Sequence, residues 1–182
     1  MSGYAQTPPN LVSTDAANDR DKYGNLPRLR AMQTAWKGIK LGEIADLGGH
    51  AGFFSLALVG DGLANGATIY DVSEDAIIKG RQFAEQMGQS ERVRFVKKAI
   101  DIEFLKQMQS TDTIICLNLL HHAGDKFDLD LVSKQGWARY ALDWLGTMRS
   151  KARQAAFGIG FENTRPRFWD TQVATRPAAL AS

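Results

Sequence analysis

The chain has 182 residues, with 22 Lys plus Arg against 20 Asp plus Glu, three His and a single Cys. That length suits one domain able to bury about 70% of its unfolded surface, so no metal or disulfide staple is required. An apolar share of 44%, a charged share of 23% and 17 Gly exclude a disordered, collagen-like or coiled-coil chain. Cys116, alone in the apolar run Ile114-Ile115-Cys116-Leu117, has no partner for a bridge and reads as reduced, inert core in a cytoplasmic protein. The opening residues MSGYAQTPPN lack the basic and apolar segments of a signal peptide. No apolar stretch reaches the ~18 residues of a membrane span. Net charge is +2, with the basic excess gathered after residue 134, where a phosphate-bearing partner and a merely solvated surface both fit.

Residues 1–25 are polar, carry Pro8 and Pro9 and show no period, so they read as a flexible arm. From Leu26 to Ile39, apolar residues recur every three or four positions, as on a helix. Glu43 to Gly49 is a short strand ending in glycine. Phe53 to Ala64 reads as a helix closed by Asn65-Gly66, Ala67 to Val72 as a strand, and Glu74 to Met87 as a helix ended by Gly88. Val93 to Lys98 is a strand, Ile102 to Met108 a short helix, and Thr113 to Leu119 a nearly pure apolar strand of the kind buried between two helical layers. Residues 130–150 read as one long helix with a stripe of Val132, Trp137, Tyr140, Ala141, Trp144, Leu145 and Met148. Gln154 to Ile159 is a fifth strand. Strands alternating with helices imply an α/β domain with a parallel sheet over 26–161, followed by a basic segment over 162–182.

The most informative segment is Asp46-Leu-Gly48-Gly49-His50-Ala51-Gly52-Phe53, between the first strand and its helix. Glycines there permit positive φ and close approach of a ligand to the backbone. Asp46, just before the loop, is placed either to face a cationic ligand or to order the loop. Asp71 ends the second strand, where an acid accepts ribose hydroxyls. The glycine spacing departs from the G-x-G-x-x-G of dinucleotide enzymes, and no G-x-x-x-x-G-K-[ST] phosphate loop exists in the chain.

The ordered set DLGGHAGFFSL, IYDVS, VRFVKKAID and DTIICLNLLHH, over roughly residues 43–161, resembles a class I S-adenosylmethionine-dependent methyltransferase. The resemblance implies a Rossmann-like parallel sheet with helices on both faces. About five strands are expected, lacking the family's usual last two, with an exposed edge beside the fifth. It implies S-adenosylmethionine as cofactor, with Asp46, Gly48, Gly49, His50, Gly52 and Phe53 at the loop and Asp71 and Val72 at the ribose. Ile100 and Asp101 fall near the adenine, Asn118 and Leu119 border the cofactor, and the stretch from Asn118 to His122 faces the acceptor. Two departures stand out. His50 occupies the usual middle glycine slot, and Ala99 fills the commonest position of the third acid, two residues before Asp101.

His121 and His122 follow the fourth strand, where an imidazole takes a proton from a hydroxyl acceptor or else caps and packs the turn. Adjacent histidines lack metal-ligand spacing, so no metal site is expected. His50 either touches cofactor or faces solvent. Arg165, Arg167 and Trp169 suit either an acceptor's phosphate or sugar or an ordinary loop. The expected activity is methyl transfer to an oxygen of a saccharide, a phosphate or RNA, and the loop resembles that of methyltransferases acting on bacterial surface polysaccharide. A catalytically idle or partial methyltransferase-fold binding module completed by a partner chain is the alternative, and the expected assembly is a homo-oligomer or a pair with such a completing partner chain. A dinucleotide oxidoreductase is disfavoured by the glycine spacing.

Overall fold

The computed structural model describes residues 7–9, 11 and 25–159. Along the chain come α1 (Asn25–Ala35), β1 (Glu43–Leu47), α2 (Phe53–Gly60), β2 (Gly66–Asp71), α3 (Glu74–Gln86), β3 (Val93–Lys97) and α4 (Ile102–Gln107). Then follow β4 (Thr111–Leu117), a 3₁₀ turn over Leu120–His122, α5 (Leu129–Gln135), α6 (Trp137–Lys151) and β5 (Ala152–Gly158). The five strands form one sheet in the order β3-β2-β1-β4-β5, every neighbouring pair parallel. This is the Rossmann-like α/β architecture expected from the sequence.

Alternation along the strands produces two helical layers, because successive strand residues point to opposite faces. Ile44, Ile69, Phe95 and Ile115 pack with α1, α2 and α3 in one core cluster. Ala45, Leu47, Ile114 and Cys116 pack with α4, α5 and α6 in the other. Trp144 and Tyr140, both 0% exposed, are the largest fully buried side chains of the second layer. Among the described residues no helix is long and apolar enough to cross a membrane.

The structure corrects several expected boundaries. The helix expected over 130–150 is two helices, because Gly136 adopts φ 82° and ψ 147°, a conformation open to glycine and hostile to a continuing helix. The helix from Phe53 ends at Gly60 instead of Ala64, and Gly66 opens β2 instead of closing that helix. β4 stops at Leu117, since Asn118 at φ 57° leaves the extended region. Among the described residues β5 pairs with β4 alone. Within the expected arm, Pro8 is buried and Leu11 packs on the first core cluster. The rest of 1–24, the 162–182 segment and Arg165, Arg167 and Trp169 lie outside the described residues.

Helix α3 docks on β3 through Gly80, where an added Cβ would overlap the Phe95 ring. Alanine normally improves a helix by ~1 kcal/mol over glycine. Here the gain is outweighed by overpacking against a ring only 6% exposed. Gly80→Ala is therefore expected to destabilise the fold by about 1–3 kcal/mol in urea denaturation, and Phe95→Leu in the same chain to recover part of the loss.

Candidate cofactor and acceptor site

The strand order reverses between β1 and β4, so the chain leaves β1 towards one layer and β4 towards the other. The C-terminal ends of these two strands are the place where open α/β sheets bind ligands. Nearly all the residues singled out in the sequence converge on the loops at this end of the sheet.

The loop after β1 folds back on the end of β2. Gly48 and Gly49 donate their N–H groups to the Tyr70 carbonyl at 2.9 and 3.3 Å, and Gly52 donates to the Gly49 carbonyl at 2.8 Å. His50 sits at φ 52° and donates its backbone N–H to Asp71 Oδ2 at 2.9 Å. The left-handed backbone explains why glycine suits that slot, while histidine is among the few other residues that tolerate it. Asp71 Oδ1 takes a second N–H, from Ser73 at 2.8 Å. A carboxylate offers about four lone-pair positions, so two remain for further donors. Gly52, at φ 79°, starts α2, and an added Cβ would come within 2.8 Å of Ile69 Cδ1.

Asp46 lies beneath the loop. It is 2% exposed and accepts the Ser55 hydroxyl at 2.7 Å. Gly49 rests directly on it, because a Cβ there would stand 2.5 Å from the Asp46 Cγ. Burial pushes the carboxyl up to about 7, with the Asp71 charge adding to the rise and the Ser55 hydrogen bond opposing it. Its place is therefore that of a support under the loop. Phe53 turns its ring into the core at 6% exposure, which leaves only its backbone for a ligand.

On the β2–β3 side, Val72 is 63% exposed beside Asp71, whereas Ile100 is 5% exposed. Asp101 caps α4 by accepting the Phe104 N–H at 2.7 Å. On the β4 side, Asn118 is exposed and donates its N–H to the Gly158 carbonyl at 2.8 Å. Leu119 reaches across to Gly48, where an added Cβ would lie 3.4 Å from Leu119 Cδ1, so the two loops touch. His121 is 8% exposed and His122 half-buried, with ring centroids 4.0 Å apart. Among the described residues no group of three or more His, Cys, Asp or Glu could hold a metal ion. Cys116 is fully buried in β4, and burial, reinforced by the Asp46 charge, pushes its thiol up to about 12.

No protein-family model matches the chain, and no curated protein matches it. Solved structures do. Monomeric WbdD superposes with a TM-score of 0.68 at 20% identity, covering 94% of this chain and 40% of its own. The bifunctional kinase-methyltransferase WbdD gives 0.65 at 20% identity, over 95% and 36%. This chain shares its fold with these structures. A methyltransferase from Geobacter sulfurreducens, solved with S-adenosyl-L-homocysteine, gives 0.50 at 16% identity over 70% and 44%. The chain thus spans between 36% and 44% of the length of these three structures.

Sequence reasoning missed Ser55, Asp128 and Tyr140. Ser55 is the one polar side chain in the helix FFSLALVG, a signal that a buried acceptor lies opposite. Asp128 precedes α5 at the N-cap position, yet its carboxylate serves other elements, accepting the Ile102 N–H at 2.8 Å and the Tyr140 hydroxyl at 2.5 Å. Burial drives the Tyr140 phenol well above its ordinary range, and that hydrogen bond and the charges of Asp128 and Asp101 push the same way.

The raised Asp46 carboxyl makes stability fall with pH. Folded and unfolded states bind the proton equally well below the ordinary value of 3.8, and the folded state holds it more tightly from there to about 7. Stability is then highest in acid on this account and declines across that window, by at most about 4 kcal/mol. Asp46→Asn is expected to gain stability over the wild type progressively between pH 4 and 7 in urea titrations. A gain independent of pH would show that Asp46 ionises normally.

Proposed function

We propose that this chain binds S-adenosylmethionine in the crevice between the β1 and β4 loops and passes its methyl group to an oxygen nucleophile on a saccharide, a phosphate or RNA. The observation that carries the reading is the closure of the glycine loop on Asp71 through the His50 N–H. It brings the loop and the ribose-type acid together while leaving lone pairs on that acid for two hydroxyls. The same closure consumes the N–H groups of Gly48, Gly49, His50 and Gly52 inside the protein. A dinucleotide's pyrophosphate needs such donors free. A cationic ligand beside Asp71 does not.

The cofactor supplies a methyl group on a positively charged sulfur that leaves as a neutral thioether. The chain's residues have the remaining tasks. Asp71 grips the ribose hydroxyls, and Val72, apolar and open beside it, covers one face of the adenine. Ile100 walls the same pocket. The backbone at Gly48 and Gly49 lets the amino-acid end approach closely, on the support that Asp46 and Ser55 provide. Leu119, against Gly48, separates this space from the acceptor. His122, more exposed than His121, takes the acceptor's proton, since imidazole is the side chain whose proton exchange lies nearest neutral pH. Holding acceptor and methyl group in line is worth about 7–11 kcal/mol in such reactions, so a site with few reactive groups is sufficient. Of the two activities joined in the bifunctional kinase-methyltransferase WbdD, methyl transfer is the one this crevice suits.

Calorimetry with S-adenosylmethionine, S-adenosylhomocysteine and NAD tests the reading. The first two are expected to bind and NAD to fail. Binding of NAD without the sulfonium compound would overturn it. Asp71→Ala is expected to weaken S-adenosylhomocysteine binding by roughly 1.5–3 kcal/mol, about tenfold or more. An unchanged dissociation constant in a folded variant would remove Asp71 from the site.

A further inference from the structure

The turn that carries His121 and His122 is stitched internally. The His122 carbonyl accepts the N–H groups of Asp125 and Lys126 at 3.1 and 2.9 Å, and Gly124 donates to the Phe127 carbonyl at 2.8 Å. Phe127 rests on Trp144 with ring centroids 5.6 Å apart. At its far end stands Asp128, held at φ 52° although it is not glycine. One oxygen of its carboxylate, Oδ2, accepts from two elements at once: the Ile102 N–H at 2.8 Å and the Tyr140 hydroxyl at 2.5 Å. Ile102 is 5% exposed and directly follows Ile100 and Asp101, which the methyltransferase reading puts on the adenine side. Tyr140 is 0% exposed and rooted in α6.

We infer that Asp128 is a positioning residue that fastens the acceptor-side turn bearing His121 and His122 to the cofactor-side turn at Ile100–Ile102. The inference rests on the methyltransferase reading for the meaning of those two sides. Its geometry does not depend on that reading. A carboxylate that accepts a buried main-chain N–H and a buried phenol forms charge-assisted bonds stronger than neutral ones. Removing it strands two donors away from water. The left-handed backbone at Asp128 is the strain that these two hydrogen bonds sustain. The β4–α5 turn then keeps one distance from the β3–α4 turn, and with it the distance between histidine and cofactor is fixed.

The chain has three histidines, His50, His121 and His122, so imidazole NMR reports on the two loops separately. Asp128→Gly removes the acceptor and relieves the left-handed strain, while Asp128→Asn keeps an oxygen in place of Oδ2. In the ligand-free protein, Asp128→Gly is expected to displace the His121 and His122 signals and leave His50 in place. It is also expected to weaken S-adenosylhomocysteine binding about three- to tenfold. Asp128→Asn is expected to restore both readouts to near wild type. Should Asp128→Gly fail to fold, Tyr140→Phe removes one of the two donors, and a smaller displacement of the same two signals is expected. Unmoved His121 and His122 signals in a folded Asp128→Gly variant, or in Tyr140→Phe where that variant decides, overturn the inference. So does equal displacement of His50, or an Asp128→Asn variant as disturbed as Asp128→Gly. A wild type that binds no S-adenosylhomocysteine overturns the methyltransferase reading instead, and the histidine signals of the free protein still decide the role of Asp128.

Discussion

The hydrogen bond from the His50 N–H to the Asp71 carboxylate joins the end of one strand to the loop of another, and it completes a closure that the strand register begins. Parallel pairing fixes Leu47 opposite Tyr70, so the chain leaving β1 starts beside the chain leaving β2. The Tyr70 carbonyl, with no further strand residue to pair, takes the N–H groups of Gly48 and Gly49. That forces Gly48 to φ 73° and turns the loop over β2 rather than outward. Asp71, one residue on, is then within reach of His50. Each bond is modest, of order 1 kcal/mol net. Together they hold a loop that glycine alone would leave with excess freedom.

Beneath that loop the protein buries an acid with a single hydroxyl partner. A carboxyl taken out of water resists ionisation, and Asp46 does so up to about 7. The arrangement has a steric counterpart. The carboxyl occupies the space that any side chain at position 49 would need, so Asp46, Gly49 and Ser55 specify one another. Such a support costs stability above neutral pH and holds the loop at one height. Functional sites commonly trade the one for the other.

The order of the elements was legible because apolar period and glycine punctuation agree along most of the chain. Ile44, Ile69 and Ile115 alternate with residues of the opposite face, and Gly88 ends α3 with φ 63° as a C-terminal glycine should. What escaped was set by single residues acting against the local pattern. Gly136 divides a continuous apolar stripe, which periodicity alone cannot detect because Val132 and Tyr140 remain on the same buried side. Asn118 ends β4 two residues early although Leu119 continues the apolar run. Asp46 and Asp71 were readable as acids at strand ends. Their different surroundings, one buried on a serine and the other half-open on two backbone N–H groups, depend on contacts between segments far apart in sequence. Asp128 escaped for the same reason: its partners, Ile102 and Tyr140, stand 26 and 12 residues away.

The fate of the loop's N–H groups separates two chemistries that share this architecture. In a site built for pyrophosphate, glycines keep donors pointing at the ligand, and the helix end adds its positive pole. Here Gly48 and Gly49 spend theirs on Tyr70, His50 on Asp71, and Gly52 on Gly49, so those four are taken up inside the protein. Two carboxyls lie close enough for the charge on one to raise the proton affinity of the other. The pair is a local source of negative field. A positive centre would relieve it, and would draw Asp46 towards its ionised form by the same coupling.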